Sequence, residues 1–228
     1  MTDITEHLST IRERVRIAAQ RTGRSERDVT IVAVSKQQSA EAIQQAYRAG
    51  QRDFGESYVQ EAERKLAALA DLDIVWHFIG RIQGNKTRFI AEHFHWAHTV
   101  DRERIARRLA EQRPYHAPPL NVLIQVNLAG EPQKGGVAPD EVEPLADAIA
   151  RFDRLALRGL MTIPPAGLAA DECRAHFERL AAIGAHLAAR GFAVDSLSMG
   201  MSEDFEIAIE AGSTCVRIGT AIFGAREA

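Results

Sequence analysis

The 228-residue chain is poor in cysteine, in aromatic residues and above all in lysine: only four of its 28 basic residues are lysine, and the rest are arginine. Cys173 and Cys215 are the only cysteines. One falls in a helical pattern and the other in an apolar strand, so no disulfide framework is expected and a reducing cytoplasm fits. Met1 to Arg21 alternates charged and apolar residues, which makes this segment neither a signal peptide nor a membrane span. Basic runs are missing, and a formal charge of −3 with a pI near 6.3 argues against nucleic acid or an anionic membrane as partner. With no repeat, linker or low-complexity segment, residues 1–228 read as a single domain, expected to be a monomer. The Pro/Gly cluster at Pro114 to Pro119 is short enough to be an ordinary helix-to-strand loop.

What the chain does have is alternation. Ile4, Leu8, Ile11, Val15 and Ala18 recur at helical spacing, predicting an opening helix that ends near Thr22 and Gly23. Eight apolar runs follow: Thr30 to Ser35, Arg52 to Gly55, Val75 to Gly80, Trp96 to Val100, Val122 to Asn127, Leu155 to Met161, Ser196 to Met199 and Thr214 to Ile218. Seven helical patterns separate them, the last two inter-strand patterns assigned being Gly84 to Ala91 and Glu203 to Ala211. Continuous apolar strands joined by helices imply a parallel sheet, and eight strands close into a (β/α)8 TIM barrel; a doubly wound open sheet is the alternative with the same pattern. Too few residues follow Ile218 for a full helix over the last strand, a gap that the opening helix can cover.

Barrel chemistry sits at the C-terminal ends of strands. Lys36 lies at the end of the first strand, Lys86 follows the third, Lys134 follows the fifth, and Lys65 is mid-helix. An amine can become neutral and attack a carbonyl whereas a guanidinium stays protonated, so a site that works through an imine must keep lysine. Lys36 continues the Val32, Val34 alternation into the barrel mouth, where desolvation lowers an amine's pKa; the plain alternative is a strand-end lysine reaching water.

The loops after strands seven and eight commonly hold phosphate, and here they read Met199-Gly200-Met201-Ser202 and Arg217-Ile218-Gly219-Thr220. Gly200 and Gly219 let backbone amides approach an anion, and Ser202 and Thr220 add hydroxyls. The competing reading of Ser202 is a helix N-cap, with Glu203 and Asp204 pointing to solvent. Arg217, in phase with Cys215 and Gly219, points into the barrel and needs a partner there. Trp76, His77, Gln83 and Asn85 are expected at the same rim, with a structural role for His77 as plausible as a catalytic one. His93, His95 and His98 are too scattered over strand faces to make a convincing metal site.

These residues together resemble the pyridoxal phosphate homeostasis protein family, also called the YggS or proline synthase co-transcribed family. The similarity runs almost end to end, through Val32-Ala33-Val34-Ser35-Lys36, Phe54-Gly55-Glu56-Ser57-Tyr58-Val59-Gln60-Glu61, Trp76-His77-Phe78-Ile79-Gly80, Arg158-Gly159-Leu160-Met161, Ser198-Met199-Gly200-Met201-Ser202 and Val216-Arg217-Ile218-Gly219-Thr220. The resemblance implies a barrel like the N-terminal domain of alanine racemase, with pyridoxal 5′-phosphate (PLP) as an aldimine on Lys36, Arg217 facing the pyridine nitrogen, and phosphate at Ser202, Gly219 and Thr220. Ser57, His77 and Met201 complete the expected cofactor-binding set. It also implies a role in intracellular PLP homeostasis, with apo PLP-dependent enzymes as partners. The chain departs from the family pattern at Ser57, where Asn is usual, and at Gln37, Gln38 and Ser39, where a second lysine and a proline often stand; Lys134 still matches a family lysine.

The rival reading is an amino-acid racemase of the same barrel class. Racemisation needs a base on each face of the imine, and in alanine racemase the second is a tyrosine from an additional β-domain, for which the sequence to Ala228 has no counterpart. An arginine at the pyridine nitrogen also weakens the ring as an electron sink, although alanine racemase uses that arrangement itself. The expectation is a binding protein without catalytic residues and without a metal.

Overall fold

The alternation closes on itself. In the computed structural model, which describes residues 4–131 and 133–224, eight parallel strands form a closed barrel in sequence order. They are β1 (Thr30–Val34), β2 (Asp53–Glu56), β3 (Val75–Phe78), β4 (Trp96–Val100), β5 (Leu120–Gln125), β6 (Leu155–Met161), β7 (Ser196–Ser198) and β8 (Cys215–Ile218). Each predicted strand is present; β1, β3, β7 and β8 are shorter than the apolar runs that predicted them, and β2 and β5 are displaced by one or two residues. The helices are α1 (Ile4–Arg21), α2 (Ala40–Arg48), α3 (Val59–Ala68), α4 (Thr87–His93), α5 (Glu103–Gln112), α6 (Val142–Ile149), α7 (Ala170–Ala189), α8 (Phe205–Glu210) and α9 (Thr220–Phe223). Met1 to Asp3 of the opening segment lie outside the described residues. Among the described residues no helix is long and apolar enough to cross a membrane.

The closing seam pairs β1 with β8, Val32 opposite Arg217. Helix α1 covers it, packing on α2, α8 and α9. Its stripe of Ile4, Leu8, Ile11, Val15, Ala18 and Ala19 is buried, each large aliphatic member contributing roughly 1.5–3 kcal/mol. Polar clasps fix the docking: Arg12 donates to the Ala49 carbonyl, Arg14 pairs with Glu206, and Arg24 donates to the Ser213 carbonyl.

Strand residues facing outward build the main apolar core with the helices, and Phe54, Phe78, Phe94, Phe177 and Phe205 are all fully buried there. Residues facing inward are more polar than a barrel interior usually is: His77, His98, Ser198 and Arg217 are all buried. The excess of arginine has a visible use in the loops. The Arg113 guanidinium donates to the carbonyls of Ala91, Phe94 and Pro118, and Arg154 donates to those of Pro114 and Ala117, so two planar forks tie down the Pro114 to Pro119 connection.

Candidate functional site

At the C-terminal mouth of the barrel lies a cavity of about 340 Å3, lined by Lys36, Ser57, Met201, Ser202, Arg217, Gly219 and Thr220 together with Val34 and Ile79 on its apolar side. Seven of the eight residues expected to hold a cofactor therefore meet in one place. Strand β1 stops at Val34, so Lys36 sits in the turn beyond it rather than in the strand, half-buried, and still enters the cavity in phase with Val34. Gly219 sits close against β1: a Cβ there would stand 3.3 Å from the Val34 carbonyl oxygen, a tight contact that glycine avoids. Gly200 does a different job from the one expected. Its φ of +96° and the Ala208 Cβ, 2.6 Å from where its own Cβ would stand, make it a turn and packing glycine that does not line the cavity.

His77 is the exception. It follows the inward phase of β3 but lies one layer below Ile79, and two residues of strand are about 6.6 Å of depth. Its ring lines a separate small cavity at the opposite mouth, with Asp53, Trp96, His98 and Arg158. Trp76 points the other way, against Phe54 in the helix layer, and neither Gln83 nor Asn85 lines the Lys36 cavity. The three nearby histidines separate: His93 stacks on Phe89, His95 accepts the Trp76 amide, and His98 is inside the barrel.

The loop after β7 also corrects an expectation. Helix α8 starts at Phe205, with Asp204 rather than Ser202 at its N-cap position. Asp204 does not point to solvent: it is half-buried against the cavity, accepts the Met201 amide at 2.6 Å, and burial pushes its carboxyl pKa up. Ser202 Oγ instead accepts a long hydrogen bond from the Ala221 amide, joining the loops after β7 and β8.

Arg217 is 4% exposed. Its guanidinium donates to Ser198 Oγ at 2.6 Å and to the Thr162 carbonyl at 2.9 Å, and burial pushes its pKa down. The partners that its burial required are thus neutral groups, one of them a serine at the inner end of β7.

Sequence reasoning missed the underpinning of the Lys36 turn. Lys65, set aside as mid-helical, is buried and donates to the Ser35 carbonyl and to Glu56 and Glu61. Glu56 is fully buried, accepts also from Ser35 Oγ, and keeps its second oxygen unpartnered. Burial pushes the Glu56 carboxyl up despite the neighbouring ammonium. Glu61 in turn accepts the amide of Gln37, a non-glycine residue at φ +61°. The available signal was the i, i+4 spacing of Glu61 and Lys65 with a glutamate ending β2. Lys134 pairs with Glu131 and donates to the Pro164 carbonyl; Lys86 ends a single turn before α4.

The closed eight-stranded parallel barrel places the chain in the alanine-racemase class of barrel, and residues 7–227 match the family described as "Alanine racemase, N-terminal domain". Alanine racemase of Corynebacterium glutamicum shares the fold, with a TM-score of 0.68 over 97% of this chain and 62% of that one at 18% identity. The chain is 52% identical over 227 residues to the pyridoxal phosphate homeostasis protein of Pseudomonas aeruginosa, covering 100% of this chain and 97% of the relative, and 50% identical over 233 residues to that of Escherichia coli K12, covering 100% and 98%. The structure of PipY from Synechococcus elongatus with PLP bound superposes with a TM-score of 0.87 at 37% identity, covering 97% of this chain and all of that one. The chain belongs to the pyridoxal phosphate homeostasis protein family.

Proposed function

We propose that this protein binds PLP in the cavity at the C-terminal mouth of the barrel and serves in PLP homeostasis, holding the cofactor through a covalent imine on Lys36. The observation that carries the reading is that one amine, one buried guanidinium and three hydroxyls (Ser57, Ser202 and Thr220) line a single cavity of about 340 Å3, within the size range of small-ligand sites. The donor set suits the ligand: an amine for an aldehyde, hydroxyls of Ser202 and Thr220 for phosphate oxygens, and apolar Val34 and Ile79 for a ring. When bound, PLP supplies an aldehyde whose carbon can be joined to the Lys36 nitrogen, with water leaving. Arg217, which lines the same cavity, would face the pyridine nitrogen and, being a donor only, would keep it unprotonated.

The test is borohydride reduction of PLP-loaded protein followed by peptide mass mapping. A phosphopyridoxyl adduct on Lys36, absent in Lys36→Ala, is the expected result; an adduct confined to Lys86, Lys134 or Lys65 overturns the assignment. Assay of the same preparation with L-alanine and other common amino acids is expected to give no racemisation or decarboxylation beyond that of free PLP. A saturable turnover dependent on Lys36 puts the racemase in its place.

A further inference from the structure

Behind Arg217 a chain of hydrogen bonds crosses the whole barrel interior. Arg217 donates to Ser198 Oγ at 2.6 Å, Ser198 Oγ meets His98 Nδ1 at 2.9 Å, His98 Nε2 meets His77 Nδ1 at 2.9 Å, and His77 Nε2 meets Asp53 Oδ1 at 3.0 Å. The chain begins in the Lys36 cavity and ends at the opposite mouth, where the Asp53 side chain is 30% exposed. All the intermediate groups are buried.

The two ends dictate the direction of every bond between them. A guanidinium can only donate, so Ser198 accepts from Arg217 and keeps its own proton to give; a carboxylate can only accept, so His77 Nε2 carries a proton. A neutral imidazole has one N–H. His77 Nδ1 must then accept, His98 Nε2 must donate, His98 Nδ1 must accept, and the Ser198 hydroxyl supplies that last proton. Burial lowers the pKa of His77 and holds that of His98 well below the usual histidine range, so both rings are neutral, as this arrangement requires. Around the chain, Trp96 stacks on His77, Arg158 lies over the Trp96 ring, and Cys215 lies beside Ser198 and Arg217.

We propose that Asp53 is a positioning residue for Arg217, acting through His77, His98 and Ser198 as a one-way row of donors that sets the orientation and charge balance of the guanidinium from the far end of the barrel. Bonds aligned head to tail polarise one another, so the carboxylate makes Ser198 Oγ a stronger acceptor for a guanidinium whose own contacts are neutral. The consequence for the cofactor rests on the reading of Arg217 given above; the direction of the row does not.

Two measurements on full-length protein separate these. Nitrogen-15 NMR of histidine-labelled protein without ligand is expected to show His77 and His98 each with a protonated Nε2 and an unprotonated Nδ1 at neutral pH. In Asp53→Asn, whose amide can either accept or donate, a second tautomer is expected, and Asp53→Glu restores the first. A protonated Nδ1 on His98 in the wild type overturns the proposal. With PLP added, Asp53→Asn is expected to shift the visible absorption maximum of bound cofactor in the wild-type background and to leave it unmoved in Ser198→Ala, because the row is already cut. An equal shift in both backgrounds, or none in the wild type, refutes transmission to Arg217. If the wild type binds no PLP at all, the functional reading fails, while the tautomers still report on the row.

Discussion

Replacing Lys65 by methionine removes the cation that, among the described residues, contacts the fully buried Glu56 carboxylate, and the cost is expected to depend on pH in a direction that the structure fixes. Lys65 is 7% exposed in its side chain and Glu56 0%. Deleting one partner of such a buried pair costs about 3–5 kcal/mol when the other is left charged. At about 2–4 °C per kcal/mol for a chain of this size, that is a Tm lowered by roughly 6–20 °C. The charge need not persist, however, because Glu56 can take up a proton. Its folded pKa is already raised by burial, so its contribution to stability is present below the unfolded carboxylate range and is lost as pH rises through the folded value. Without Lys65 the folded pKa rises further and the region of loss extends upward. The penalty should therefore be larger near pH 8 than near pH 5, because protonation of Glu56 relieves the unpaired charge as the pH falls. Glu56→Gln added to Lys65→Met should recover much of the loss at pH 8 and flatten the pH dependence. Thermal unfolding followed by circular dichroism at the two pH values reads all three proteins. A penalty that is constant with pH, or larger in acid, would refute the claim that an unpaired Glu56 carboxylate is its source.

Three further outcomes concern the loops after β7 and β8. Gly200→Ala must hold φ +96° against the Ala208 Cβ and is expected to lose about 2–5 kcal/mol from backbone strain and overpacking together, read by chemical denaturation; a loss under half a kcal/mol would mean that the loop relaxes freely. Ser202→Ala with Thr220→Ala should narrow the preference for PLP over pyridoxal by roughly two orders of magnitude, at about 1.5–3 kcal/mol per charge-assisted bond. Asp204→Asn should instead widen it about fivefold, the ~1 kcal/mol of one partly screened repulsion. Parallel titrations with the two vitamers check both, and equal affinities in the wild type would remove phosphate from these loops.

The barrel was legible because its signal is redundant: each strand is an apolar run, each helix has its own period, and an error in one element leaves the count intact. Lys36, Ser57 and the loops after β7 and β8 were legible as the lining of one cavity for a related reason, since all follow strand ends and strand ends share one rim. Depth inside the barrel was not. Alternation states that His77 and Ile79 face inward, yet closure and stagger decide that Ile79 reaches the Lys36 cavity while His77 meets Asp53 and His98. The same blindness hid Ser198 as the partner of Arg217, because the pairing spans 19 residues and depends on where β7 and β8 sit in the closed sheet. Asp204 was misplaced for a local reason. Ser202 and Asp204 are both acceptable N-caps, and the choice went to the residue adjoining Phe205, which is fully buried and fixes where α8 begins.

That choice bears on how tightly the proposed site holds its ligand. Asp204 takes the Met201 amide for itself, removing one backbone donor from the loop, and sets a carboxyl against the cavity in which phosphate is placed. Burial works against the resulting repulsion by raising the carboxyl pKa, so the acid is more easily neutral than an exposed one. A site built only for retention would turn both features round, with a free amide and no acid. Set beside the covalent linkage proposed at Lys36, which hydrolysis would reverse, a phosphate cup weakened from within would favour exchange over storage, and release would then be limited by opening of that linkage rather than by escape of the phosphate. Loaded protein mixed with excess apo-enzyme acceptor should accordingly release cofactor at a rate that Asp204→Asn slows no more than slightly, while the same substitution lowers the equilibrium fraction released. A rate that falls in proportion to the gain in affinity would place the barrier at the phosphate instead.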